Sequence, residues 1–263
     1  MMAFNLNVTK CETFSFETTE DFIKAIDDYY LTSDFRIKTD LLQNKTNSHF
    51  LFLLEKNLLF VADGKIVGFY GDTLKFKELF LKNPDDFNLI FLRLRWNDKN
   101  DLFLHTLPST LQYLVLIYFD VENYAFLNHL PNLKYFDHRR SLLSFSTLFE
   151  KINPCPSIEQ LVLDEVENCS QDSKLGEFDC DFRLFPNLRS LTINEMYVLN
   201  KTLLEVKTLE YLKLWSGVFY RDGDHAVSCL PQTLKYLTSS MPTEVFDQIY
   251  ERCLNIKIDT QFF

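Results

Sequence analysis

The sequence predicts an α/β solenoid in which short parallel strands stack one after another, closed at each end by a segment of different character. Three observations predict it. One apolar phrase recurs at near-constant spacing, and the stretches before and after it lack that phrase. The composition, 46% hydrophobic with 26 Phe but only 6 Gly and 8 Pro in 263 residues, suits ordered aromatic packing better than disorder.

The first segment, residues 1–86, reads as an α/β cap. Thr18-Thr19-Glu20-Asp21 is a helix start, with Phe22, Ile26 and Tyr29 along one face. Asn57 to Tyr70 reads as two strands joined at Asp63-Gly64, a dipeptide whose residues tolerate the positive φ of a tight hairpin. Such a cap shields the apolar end that a stack of repeats otherwise exposes.

Residues 87–240 carry the phrase: an apolar residue, two or three spacers, then Leu-x-x-Leu-x-Leu. It appears as Leu89-Ile-Phe-Leu92-Arg-Leu94, Leu107-Pro-Ser-Thr-Leu111, Leu130-Pro-Asn-Leu133 and Cys155-Pro-Ser-Ile158. It continues as Phe185-Pro-Asn-Leu188, Val206-Lys-Thr-Leu209 and Leu230-Pro-Gln-Thr-Leu234. The first core residues, 89, 111, 133, 158, 188, 209 and 234, are separated by 22, 22, 25, 30, 21 and 25. One such unit cannot bury its apolar face alone, so the period predicts a solenoid.

These residues resemble the leucine-rich repeat, whose core is Leu-x-x-Leu-x-Leu-x-x-Asn/Cys-x-Leu. The Leu-Pro-x-x-Leu-x-x-Leu form is similar to the repeats of F-box-type receptors, FNIP-like proteins and some bacterial effectors. The resemblance implies about seven repeats on a curved parallel sheet with an α/β cap and a C-terminal helical cap. The chain departs from the pattern at the Asn/Cys position. Asn97 meets it, but Phe119, Ser141, Val166, Met196, Gly217 and Pro242 follow, so the usual asparagine ladder is largely missing.

Between the cores, Ser141 to Ile152 places Leu142, Phe145, Phe149 and Ile152 at helical spacing. Residues 164–183 form an acidic insertion and account for the spacing of 30. Residues 241–263 read as the closing cap: Thr243 starts a helix bearing Val245, Phe246, Ile249 and Cys253, and Leu254, Ile256 and Ile258 add a strand.

Charge and motifs exclude several functions. The net charge of −10 argues against a chain that blankets nucleic acid or anionic membrane. Met1-Met2-Ala3-Phe4-Asn5 shows no basic region followed by an apolar run, and Phe50 to Leu54 is too short to span a bilayer. A cytoplasmic or nuclear protein with six reduced cysteines is expected, and the sequons at Asn7, Asn44, Asn168 and Asn200 then read as chance matches. There is no phosphate-binding Gly-rich loop, no Gly-x-Ser-x-Gly elbow and no His-Glu-x-x-His helix. The five histidines read as ordinary surface residues, and Asp222-Gly223-Asp224-His225 describes a turn better than a calcium loop. Neither an enzyme nor a cofactor nor a metal site is expected.

In a strand, alternate side chains point to opposite faces. With the three Leu positions inward, the other face carries Arg93, Arg95, Tyr113, Tyr135, Asp137 and Arg139 towards the N-terminus, and Tyr211, Lys213, Trp215 and Tyr236 towards the C-terminus. Tyr, Trp and Arg are enriched at binding hot spots. Tyrosines stacking along parallel strands would explain themselves, but not the arginines. The expected function is therefore a protein-interaction module or adaptor that docks another protein on the concave face. The arginines favour an acidic or phosphorylated segment of that partner. The F-box resemblance narrows this to a ubiquitin-ligase substrate-receptor-like protein, although the N-terminal region lacks an opening Leu-Pro and the helix series of an F-box. The alternative is a structural subunit whose aromatic face is permanently buried in a larger assembly.

Overall fold

The computed structural model describes residues 11–30, 57–95, 102–119, 121, 123–139, 149, 151–164, 180–194, 201–215, 230–239, 246–253 and 255–260. The fold is α/β, and the chain divides into two compact units, Met1–Trp96 and Asn97–Phe263. The first copy of the phrase lies in the first unit, whereas the sequence reading groups it with the repeats.

In the first unit, β1 (Cys11–Ser15), β2 (Asn57–Ala62), β3 (Lys65–Asp72) and β4 (Phe87–Arg95) form an open sheet in chain order. Only the β2–β3 hairpin is antiparallel. Its two-residue turn sits at Asp63 (φ 50°) and Gly64 (φ 73°), both in the left-handed region that the Asp-Gly pair predicts. The Asp63 carboxylate accepts from the backbone N–H (2.8 Å) and hydroxyl (2.6 Å) of Thr19. The turn thereby holds the first residue of α1 (Thr19–Tyr30), whose cap is Thr18 accepting from the Asp21 amide at 3.1 Å.

One helix covers each face of this sheet. Phe22 of α1 is fully buried against Phe60 and Phe16. Gly68 makes room for it, since a Cβ there would lie 2.9 Å from the Phe22 ring. Across that glycine, Phe60 of β2 reaches Phe91 of β4 edge to face. On the opposite face, α2 (Thr73–Lys82) is capped by Asp72 and buries Phe76 and Leu79, with Phe76 against Phe69 and Phe87. Each such buried Phe contributes about 1.5–3 kcal/mol.

The second unit stacks β5 (Tyr113–Ile117), β6 (Tyr135–Arg139), β7 (Gln160–Asp164), β8 (Ser190–Asn194), β9 (Tyr211–Trp215), β10 (Tyr236–Ser239) and β11 (Lys257–Thr260). These strands are parallel and pair in chain order. Register aligns Leu114, Phe136, Leu161, Leu191, Leu212, Leu237 and Ile258 in one row. The five expected leucines of that row are buried, as is Leu92 in the first unit.

The phrase itself is a turn. Its first apolar residue accepts a backbone hydrogen bond from the core residue three positions on, as in Leu130–Leu133, Cys155–Ile158, Phe185–Leu188 and Val206–Leu209. Both ends of each turn are buried, which is why both must be apolar. Cys253–Ile256 repeats the turn before β11, after α3 (Phe246–Arg252) has buried Ile249. The helix read at Ser141–Ile152 and the acidic insertion lie largely outside the described residues, as do Thr243 and Val245.

In place of the missing asparagine ladder, the residue before four of the core leucines reaches back to the preceding copy. Asn132 donates to Ser109 O (2.8 Å), Asn187 to Pro156 O (2.8 Å), Thr208 to Pro186 O (3.2 Å) and Thr233 to Leu209 O (2.9 Å). Just beyond, single carbonyls accept from two successive amides of the next strand. Gln112 O, Lys134 O, Glu159 O, Arg189 O and Glu210 O all do so at 2.8–3.1 Å.

Candidate functional site

Alternation places the expected site residues of the second unit on the sheet face opposite the leucine row. Register then sets Tyr113, Tyr135, Gln160, Ser190, Tyr211, Tyr236 and Lys257 side by side. A second row on that face runs Val115, Asp137, Val162, Thr192, Lys213, Thr238 and Asp259.

The two ends of this face differ. At the β5–β6 end, Tyr113, Val115, Tyr135 and Asp137 are all buried. Asp137, only 1% exposed, accepts from the Tyr135 hydroxyl (2.9 Å) and from Arg139 Nε and Nη2 (2.7 Å each). Residues 135, 137 and 139 share a face of one strand, so this clamp is built by alternation alone. It is a local neutralising arrangement: a bidentate guanidinium fixes a carboxylate that burial would otherwise make costly.

The β9–β11 end is open. Tyr236 is 38% exposed, and its ring lies parallel to Tyr211 at 4.7 Å with 2° between planes. Lys257 Nζ sits 5.6 Å from the other side of the same stack. Lys213 is half-buried beside them. Trp215 takes its place on β9, opposite Asn194.

Below the stack, at the strand entries, the row Lys134, Glu159, Arg189, Glu210, Lys235 alternates in sign. Glu210 pairs with Lys235 at 2.8 Å and Arg189 at 3.6 Å. The Lys235 hydrogen bond holds the Glu210 carboxyl below its ordinary value. A concavity of about 510 Å³ opens nearby between Thr233, Lys235, Glu251 and Arg252. Its cations are engaged, Lys235 with Glu210 and Arg252 Nε with Leu230 O.

Arg93 and Arg95 belong to the first unit, on β4. Both guanidinium groups lie over the ring of Tyr70 on β3, at 4.8 and 5.4 Å from its centre. Tyr70 was not expected, because its pairing with Arg93 depends on a parallel register that shifts between Ile66 and Gly68. Lys257 was also missed, although extending the alternation of the closing strand Leu254–Ile258 would have found it.

The histidine reading needs one correction. His138 is no surface residue but fully buried: its Nε2–H donates to Phe119 O and its Nδ1 accepts from the Tyr124 hydroxyl, both at 2.7 Å. Cys155 is packed, and burial pushes its thiol to about 11. Among the described residues, Cys11, Cys155, Cys180 and Cys253 form no disulfide, and no group of three His, Cys, Asp or Glu side chains is placed to hold a metal ion. Asp222 to His225 lie outside the described residues. No described helix is long and apolar enough to cross a membrane.

Compared with protein-family models and with curated protein sequences, the chain matches none.

Proposed function

We propose that the second unit is a leucine-rich-repeat-type solenoid closed by a C-terminal cap, and that the chain is a protein-interaction module or adaptor. It docks a partner protein on the open end of its outer sheet face, around Tyr211, Lys213, Tyr236 and Lys257. The observation that carries this reading is the parallel Tyr211–Tyr236 stack under Lys257, exposed at Tyr236. Broad tyrosine faces bury much area at small entropic cost, and they gain most when a partner excludes water from them. Substrate recruitment to a ubiquitin ligase is the narrower form of the proposal, supported by the resemblance of the repeats.

The test begins with partners crosslinked in the native cell and identified, followed by titration of one purified partner. Tyr211→Ala with Tyr236→Ala should weaken that complex by about 2 kcal/mol or more, the scale of a hot spot. Unchanged affinity in this variant, with loss on changing residues of the first unit, would transfer the docking role to that unit. A chain that aggregates alone and is well behaved only when coexpressed would favour the structural-subunit reading.

A further inference from the structure

We propose that His105 and His129 form a surface site for a divalent transition-metal ion of the zinc class, which clasps two neighbouring copies of the phrase in the second unit. The site does not rest on the docking reading, because it lies on the connections between strands and not on the strand face.

The two histidines stand in matching turns. Leu104-His105-Thr106-Leu107 and Leu127-Asn128-His129-Leu130 each close with the last amide donating to the first carbonyl, at 3.3 and 3.0 Å. All four leucines are buried, which fixes the backbone and leaves the residues between them facing outward. His105 and His129 are both exposed. Their neighbours are tied to backbone, Thr106 Oγ1 to Phe103 O at 2.7 Å and Asn128 Nδ2 to Lys151 O at 2.9 Å. His105 also rests edge to face with the buried ring of Phe126. The same two positions meet again further along the stack, where the turns Phe182–Phe185 and Leu203–Val206 carry Arg183 and Glu205. Arg183, held chiefly by Asp181, also feels the Glu205 charge. Opposite charges use the juxtaposition there, whereas two imidazoles are joined by a cation that both can ligate.

The ring centres of His105 and His129 are 5.8 Å apart, with 72° between planes. Among the described residues the two rings contact each other and Phe126, and neither commits a nitrogen to a protein hydrogen bond. Imidazole nitrogen suits zinc, copper and nickel, and two zinc–nitrogen bonds of about 2.0–2.1 Å at a tetrahedral angle set the nitrogens about 3.4 Å apart. A ring nitrogen stands about 1.1 Å from its ring centre, so facing nitrogens of this pair come to about 3.6 Å. Turning nitrogen towards nitrogen is a χ2 rotation, broad and soft for an exposed His. The pair supplies two protein ligands, short of the three or four of catalytic and structural zinc centres, and water completes the coordination. It is therefore a clasp between turns and not a centre for chemistry.

The experiment titrates the full chain with zinc chloride by calorimetry, magnesium chloride serving as comparator, while the His105 and His129 ring resonances are followed by NMR. Zinc should bind saturably and shift both sets of ring resonances, where magnesium, which prefers oxygen ligands, does neither. His105→Ala and His129→Ala should each lower zinc affinity about tenfold or more, because a two-point hold becomes a one-point hold. Zinc should also raise the thermal midpoint of the wild type, and much less that of either variant. His225→Ala, and Tyr211→Ala with Tyr236→Ala, should leave the affinity unchanged, which separates the pair from the Asp222 to His225 sequence and from the docking face. Should an alanine variant fail to fold, His105→Gln and His129→Gln carry the comparison together with the wild-type ring resonances. Absence of saturable binding beyond magnesium, ring resonances unmoved at saturation, or affinity kept by both single variants would overturn the proposal.

Discussion

Replacing Arg139 with Ala separates a binding arginine from a structural one. Sequence alternation alone treats Arg139 as a surface side chain whose removal spares the fold. In the structure it makes two charge-assisted bonds of 2.7 Å to a carboxylate that is 1% exposed. Breaking a fully buried pair costs about 3–5 kcal/mol, because a charge is left stranded. The Arg139 side chain is 41% exposed, so solvent screens part of the attraction and about 2–3 kcal/mol is expected. Asp137→Ala strands nothing so severe: the guanidinium rehydrates and the Tyr135 hydroxyl loses one acceptor, for about 1–2 kcal/mol. The double variant should cost about 2 kcal/mol, well short of the sum, because the second change removes the charge that the first left unpaired. Urea unfolding of the wild type, both single variants and the double variant at pH 7 measures this coupling. An Arg139→Ala variant within 0.5 kcal/mol of wild type, or strict additivity, would refute the argument.

Gly71 sits at φ 157°, and a Cβ there would collide with Asn57 Oδ1, which accepts from the Asp72 amide at 2.8 Å. Gly71→Ala should therefore cost about 2–3 kcal/mol in the same assay, combining backbone strain with the lost hydrogen bond. Acidification should destabilise the chain through Asp63, Glu78, Asp181 and Glu210, whose folded values lie below the ordinary 3.8 or 4.5, Glu78 at about 2. Each contributes stability that is present above its unfolded value and lost as pH falls through the folded one, so midpoints measured from pH 5 to pH 2 should fall, and less so in Glu210→Gln. With its thiol at about 11, Cys155 should resist iodoacetamide at pH 8 in the native chain and react once urea unfolds it. Thr233→Val keeps shape but removes the 2.9 Å bond to Leu209 O, and a loss of about 1 kcal/mol by thermal melting is expected.

Much of this fold could be read from local rules. The Asp63-Gly64 hairpin, the Thr18 cap and the buried leucine row follow from turn chemistry and alternation, which involve only neighbours in sequence. The compensating ladder was equally visible, since Asn132, Asn187, Thr208 and Thr233 all precede a core residue. It departs from the leucine-rich-repeat consensus, which places its hydrogen-bonding residue after the strand. The site was legible only as a face. Alternation put Tyr113 and Tyr236 on the same side, but it cannot say that one is buried and the other exposed, because cover over a sheet comes from elsewhere in the chain. Tyr70 beneath Arg93 and Arg95 likewise depends on the parallel pairing of β3 with β4, which no tight turn specifies.

The cross-links between copies run sideways, from one turn to the next, through Asn132, Asn187, Thr208 and Thr233. Nothing in these rungs measures the number of residues traversed between one strand and the next turn. The stack can therefore keep its pitch while the repeat lengths run from 21 to 30. Loop-closure entropy grows slowly with length, so lengthening such a segment adds little cost. For engineering, the connections after the strands are the natural points to graft a foreign epitope or fuse a reporter. A substitution inside the four-residue turns, by contrast, would be felt by the copies on both sides.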